Sequence, residues 1–161
     1  MRQFYERYAD YLTAVCSRYI PEKADAKDVL QESFVKMLGA LDSFEYRGEG
    51  SLKAWSSRIV VNTALKSLRK SGRLRYMEAL PDLPEESEPE VERVPAPVLQ
   101  QFIQALPDGY RTVFNLFVFE KKSHREIAAL LGIKEDSSAS QFFRARALLA
   151  RKIKQYLKEN E

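Results

Sequence analysis

The chain has 161 residues and a mass of 18.6 kDa, 45% hydrophobic, 30% charged and 11% aromatic, which suits one ordinary domain or two small ones and excludes a wholly disordered protein. No run approaches the roughly 18 apolar residues of a membrane span, and MRQFYERYADY at the start holds no apolar signal-peptide core, so no membrane insertion and a cytoplasmic location are expected. The formal net charge is only +3, and a single cysteine, Cys16, and a single histidine, His124, rule out an internal disulfide and disfavour a thiolate or histidine metal cluster.

Helical spacing runs over residues 2–19, Pro21 breaks it, and it resumes over 24–41 and 51–70, with no strand alternation. In the second of these helices Ala26, Val29, Leu30, Phe34, Met37, Leu38 and Leu41 are predicted to pack inward, leaving Asp28, Gln31, Glu32 and Lys36 outward. Spacing alone reads that polar surface as an ordinary solvated face. Gly48 and Gly50 then interrupt the pattern, and Ser51 is placed to cap the third helix. Residues 47–75 carry eight basic side chains, Arg47 and Lys53 among them, against Glu49 alone, a local charge of +7. At about 100° per residue, Trp55, Arg58, Asn62, Lys66 and Arg69 fall within an arc of roughly 80°. Such a stripe neutralises phosphates, the Asn62 amide can read a base edge, and Phe44 or Tyr46 can stack on an unpaired base. A ring placed like Trp55, beside Leu52 and Ile59, is more often a core anchor than a base platform.

Residues 81–98 reverse the sign: six acids against Arg93, with five of the seven prolines. Proline removes donors and the acids repel, so Tyr76–Val98 is predicted to be a linker, reaching about 70 Å if extended. A helix over about 98–106 ends at Leu106-Pro107-Asp108-Gly109, and the next presents Val113, Phe114, Phe117 and Val118. Ser123-His124-Arg125-Glu126 is a capping-box pattern opening a short helix that Gly132 closes. Ser137 or Ser138 is expected to cap a last helix towards residue 157, with Ser138, Phe142, Ala145, Leu149, Ile153 and Tyr156 inward and Ser140, Gln141, Arg144 and Arg151 outward. A short helix, a glycine turn and a long basic helix fit major-groove recognition. Residues 121–158 again sum to +7. His124 is expected to be an exposed first-turn residue, Cys16 a core residue, and Gly48-Glu49-Gly50-Ser51 a plain turn without the lysine of a phosphate loop.

Taken in order, these segments resemble the bacterial sigma-70 family of RNA polymerase sigma factors, of the short extracytoplasmic-function (ECF) type. Asp25 to Phe34 (DAKDVLQESF) is similar to the family's region two segment that docks on the polymerase clamp, and Trp55 to Lys70 (WSSRIVVNTALKSLRK) to the pattern that follows it. Leu106-Pro107, Tyr110 to Phe117, SHREIAALLG and Arg144-Ala145-Arg146 resemble region four.

The resemblance implies an all-α chain of two small helical domains: 1–75 for core polymerase binding and the minus-10 element, 76–98 an acidic Pro-rich linker through the polymerase interior, and 99–161 a helix-turn-helix for the minus-35 element. It implies that Asp28, Gln31, Glu32 and Lys36 bind core polymerase. Phe44, Tyr46, Arg47, Lys53, Trp55, Arg58, Asn62, Lys66 and Arg69 would capture minus-10 DNA, and Ser137, Ala139, Ser140, Gln141, Phe143 and Arg144 would face minus-35 DNA; Phe143 stands where a polar residue is common, its ring free either to meet a thymine methyl or simply to pack. Asp136 and Ala139 stand where many relatives carry a glycine and a basic residue. Core RNA polymerase, promoter DNA and an anti-sigma factor are the implied partners, with no cofactor, no metal and no catalysis. Two rivals remain: a stand-alone helix-turn-helix regulator, and a magnesium-dependent nuclease, disfavoured because the acids lie away from both basic blocks.

Overall fold

A computed structural model of the chain describes residues 2–74, 84 and 87–161. Among the described residues the regular structure is helical: α1 (Arg2–Tyr19), α2 (Lys23–Ala40), α3 (Ser51–Lys70), α4 (Ala96–Gln104), α5 (Asp108–Val118), α6 (His124–Leu131) and α7 (Glu135–Glu159), with 3-10 turns at Leu41–Ser43 and Val91–Arg93. The contacts divide the chain into two units, Met1–Gly72 and Arg73–Glu161.

In the first unit α3 packs against both α1 and α2. Its buried face, Ser56, Ser57, Val60, Val61, Thr63, Ala64, Leu65 and Leu68, is built from small and branched residues that let backbones approach. The hydroxyls enter without loss because Ser56 Oγ donates to the Leu52 carbonyl at 2.8 Å and Thr63 Oγ1 to the Ile59 carbonyl at 2.8 Å. Leu12, Val15, Cys16 and Tyr19 of α1 and Ala26, Val29, Ser33 and Met37 of α2 complete this core, and each fully buried Leu or Val contributes roughly 1.5–3 kcal/mol. Cys16 is the core residue expected: burial pushes its thiol up to about 12, so it stays a neutral, unreactive S–H.

Two expected core residues are on the outside instead, Leu38 at 53% and Leu41 at 42% exposed. Leu38 sits about 100° round the helix from buried Met37, and Leu41 begins the 3-10 turn, where the α period no longer applies. Ser51 does not cap α3. Gly50, in the left-handed region at φ 85°, takes the N-cap position, and the Ser51 hydroxyl accepts the Arg47 backbone N–H at 3.2 Å.

In the second unit α4, α5 and α6 all pack on α7, around a core of Ile103, Leu106, Tyr110, Ala145 and Leu149 flanked by Phe102, Phe114 and Leu148. The Arg111 guanidinium is buried where α4 ends, donating to the Leu106 carbonyl at 2.7 Å, to the Gln104 carbonyl at 3.4 Å and to the Asp108 carboxylate. This cation satisfies carbonyls that the end of a helix leaves open. Arg73 adds bonds of 3.1 and 2.8 Å to the same carboxylate. Partial burial raises the Asp108 pKa, but the two guanidiniums outweigh it and hold the group below its ordinary value.

The first helix of the helix-turn-helix, α6, forms as its caps predict. Ser123 Oγ accepts the Glu126 N–H and the Glu126 carboxylate accepts the Ser123 N–H, both at 3.1 Å. Those Ser123 donors, backbone N–H first and hydroxyl second, hold Glu126 below the usual carboxylate range. Gly132 closes α6 at φ 67°. A Cβ there would meet nothing within 4 Å, so glycine is required by backbone conformation rather than by space. α7 starts earlier than expected, at Glu135 after Lys134, because Glu135 and Asp136 suit the positive end of the helix dipole. Ser138, offered as a cap, is buried within the helix.

His124 is half-buried, not exposed: its ring stacks on Phe117 at 4.6 Å, lies 5.8 Å from Phe142, and its Nδ1 is 2.9 Å from Ser138 Oγ. Part of the predicted linker, residues 76–83, 85 and 86, lies outside the described residues. The described part is more than a spacer: Val94 is buried, and Glu88 and Ser87 bond to Arg146 and Lys154 of α7.

Two stability outcomes follow from these bonds. Because Asp108 titrates lower in the folded than in the unfolded chain, its contribution is complete above its ordinary pKa of 3.8 and is lost as pH falls through the folded value. Urea unfolding should show Asp108→Asn destabilised at pH 7, with the difference from wild type shrinking towards pH 2; a constant difference would contradict the ion-pair account. Ser123→Ala should cost about 1 kcal/mol, read as an earlier urea midpoint at unchanged slope, and an unshifted midpoint would remove the capping box from the account.

Candidate nucleic-acid interface

Three exposed surfaces hold the residues singled out by sequence. On α2, Asp28, Gln31, Glu32 and Lys36 are exposed. Lys36 is committed locally, pairing with Glu32 at 3.4 Å and donating to Thr63 Oγ1 at 3.3 Å. Sequence reasoning missed two neighbours, Val35 at 67% and Leu38 at 53% exposed. With Asp28, Gln31 and Glu32 they occupy an arc of roughly 120°, so the face is an apolar patch within a polar rim. The signal was available, since both are out of phase with Ala26, Val29, Ser33 and Met37.

The second surface runs from the turn before α3 along its outer side. Arg58, Asn62, Lys66 and Arg69 are exposed in the register predicted, four polar groups spread over three turns. Trp55 combines the two readings left open for it: half-buried, it packs against Phe44 with ring centroids 4.9 Å apart. Tyr46, 73% exposed, has its ring available for stacking. Arg47 is paired with Glu45 at 3.1 Å, and the Lys53 ammonium lies 4.1 Å from the Tyr11 ring centroid, a cation–π contact facing α1. Arg58, Asn62, Lys66 and Arg69 therefore form a continuous strip, while Lys53 is turned towards the neighbouring helix. Together with Tyr46 they gather positive charge, an amide and an aromatic ring, the groups that can bind a phosphate backbone and its bases.

The third surface is the first half of α7. Ala139, Ser140 and Phe143 are exposed, Phe143 at 49%, and Ser137 and Arg144 are half-buried. Gln141 is a correction: it is 3% exposed and points inside. Three residues after Ser138 and four before Ala145, it shares their buried side of the helix, which the outward assignment overlooked. The aromatic joint of Phe117, His124 and Phe142, with its Nδ1 contact to Ser138, fixes the angle at which α6 meets α7 and hence which residues α7 presents. Among the described residues no helix is long and apolar enough to cross a membrane.

Known proteins share this arrangement. Residues 4–74 match the family described as Sigma-70 region 2, and residues 98–149 match Sigma-70, region 4. The chain is 34% identical over 161 aligned positions to an ECF RNA polymerase sigma-E factor of Salmonella typhimurium, covering 91% of this chain and 83% of the relative. It is 28% identical over 167 positions to the RNA polymerase sigma-H factor of Pseudomonas aeruginosa, covering 95% and 86%. Among solved structures, the sigma factor RpoE of Bartonella quintana, in complex with the anti-sigma factor NepR, shares the fold with a TM-score of 0.52 at 21% identity, over the full length of both chains. Two family regions in the family's order, on two helical units, leave one assignment: the chain belongs to the sigma-70 family of RNA polymerase sigma factors, of ECF type.

Proposed function

We infer that this chain is a promoter-specificity subunit: it binds core RNA polymerase and directs it to the start sites of a set of genes. The observation that carries the reading is the pairing of a region two match on the unit with the α3 strip and a region four match on the unit with the helix-turn-helix. Core polymerase supplies the chemistry and this chain supplies recognition, acting in the cytoplasm with no cofactor or metal of its own.

In this reading residues 1–75 are the polymerase-docking and minus-10 domain. The α2 face docks on polymerase, with Val35 and Leu38 as apolar anchors ringed by Asp28, Gln31 and Glu32. Fully desolvated apolar anchors with a polar rim are where interface energy concentrates. Arg58, Asn62, Lys66 and Arg69 follow the DNA backbone near the minus-10 element, while Phe44, Tyr46 and Trp55 form the aromatic end at which separated bases stack. Arg47 and Lys53 reach DNA only by releasing Glu45 and Tyr11. Residues 76–98 connect this domain to residues 99–161, where Ser137, Ala139, Ser140, Phe143 and Arg144 face the minus-35 element. Gln141 acts from inside by shaping the helix. An anti-sigma factor is the regulatory partner, a proposal supported by the complex of the Bartonella quintana neighbour.

Gln31→Ala with Glu32→Ala should weaken binding to purified core polymerase about tenfold or more, equivalent to at least 1.4 kcal/mol, measured by titration of labelled chain. Undiminished affinity would take α2 out of the interface, and no binding by the unaltered chain, together with tight sequence-specific binding to DNA alone, would favour a stand-alone regulator. For the holoenzyme on DNA, Arg144→Ala should cost roughly 1–3 kcal/mol on the matched promoter and little on one with a scrambled minus-35 element, whereas Lys66→Ala should weaken both and lower the salt slope by about 1. Equal losses from Arg144→Ala on both promoters would contradict its specific contact.

A further inference from the structure

Among the basic residues that α7 carries below the part assigned to base reading, Arg146 and Lys154 meet the acidic tract. The Arg146 guanidinium donates to the Glu88 carboxylate at 2.8 Å, and the Lys154 ammonium donates to the Ser87 hydroxyl at 2.6 Å. At about 100° per residue, Arg146, Ala147, Ala150 and Lys154 share an arc of roughly 100°, and the same arc contains Ala139 and Phe143 further up the helix. Ala139 and Phe143 are exposed, whereas Ala147 and Ala150 are only 7% and 6% exposed. The tract itself is fastened at its far end, where the Val91–Arg93 turn brings Val94 to a buried position and the Val94 N–H donates to the Val91 carbonyl.

We propose that Arg146 and Lys154 form a phosphate-binding strip on α7, continuous with its DNA-reading face, and that residues 87–94 are an acidic strap occupying this strip until a DNA backbone displaces Glu88. This rests on the reading of α7 as a DNA-reading helix. A carboxylate and a phosphate both offer a guanidinium two oxygens, so one replaces the other with no change in the geometry at Arg146. The Glu88–Arg146 pair is open to solvent, with side chains 84% and 60% exposed, so it is weak enough to exchange. The duplex adds many phosphates and releases its condensed cations, which favours replacement at low salt. The strap thus discourages contact between the free chain and DNA, and yields where a bound promoter concentrates phosphate beside α7.

The test uses the full chain and a labelled 20-base-pair duplex of scrambled sequence, with affinity measured by anisotropy across a sodium chloride series. Glu88→Gln should bind roughly two- to fivefold more tightly, with a salt slope steeper by up to about 1. That gain should vanish in the Arg146→Gln background, and Glu92→Gln, which removes an equal charge from the same tract and leaves the Glu88–Arg146 pair intact, should not reproduce it. Hydrogen exchange at the Arg93 and Val94 amides should accelerate when the duplex is added. A gain that persists without Arg146, or that Glu92→Gln matches, would mean a general charge effect and overturn the strap while leaving the reading of α7 intact. No salt-dependent duplex binding by any variant would overturn that reading itself, and the strap's DNA ligand with it.

Discussion

Each unit depends on burying one face of one long helix. α3 must cover Val60, Ala64, Leu65 and Leu68 with α1 and α2, and α7 must cover Ala145, Leu149 and Ile153 with the helices that precede it. With 3.6 residues per turn, satisfying that demand leaves the opposite face of the same helix outward, and in both helices that face carries basic and polar side chains. Recognition surface and core are two sides of one rod. A small domain has little apolar area to spare, so the rod's orientation is set by packing and the functional side chains inherit it.

Charge then sorts the surfaces. The α3 strip and the second half of the chain are basic, and the tract before α4 is acidic. A basic strip of this kind can attract a phosphate backbone regardless of sequence, an attraction that salt weakens, whereas in the proposed reading the few exposed groups on the first half of α7 discriminate bases. The α2 face works differently. Its apolar Val35 and Leu38 sit among acids and an amide, a composition suited to a protein partner and repellent to DNA. Opposite local chemistry on neighbouring helices is what the proposed division requires, with polymerase on one surface and DNA on others.

Much of this was legible in the sequence. The first three helices lie within a residue of their predicted limits because Pro21, Gly48 and Gly50 punctuate them, and the Ser123–Glu126 box with Gly132 specifies the short helix through local bonds alone. The stripe through Arg58, Asn62, Lys66 and Arg69 survived because a straight helix preserves its period. Where tertiary context decides, sequence fell short. Leu38 and Leu41 are apolar but out of phase or in a 3-10 turn, Gln141 is polar but on the buried side, and His124 is held inward by Phe117 and Ser138 of the two adjoining helices. The start of α7 was misplaced because two serines offered caps that Glu135 and Asp136 made unnecessary. The end of the acidic tract looked like a spacer because its composition hides the anchoring of Glu88 and Val94.

The central claim is that this chain chooses where polymerase starts. The most direct measurement is transcription by core RNA polymerase on a randomised promoter library, with and without the purified chain, sequencing the 5′ ends of the RNA. The account predicts new start sites that appear only with the chain and share two short conserved elements, one near minus-10 and one near minus-35. Start sites unchanged by the chain, at concentrations saturating for core polymerase, would contradict it.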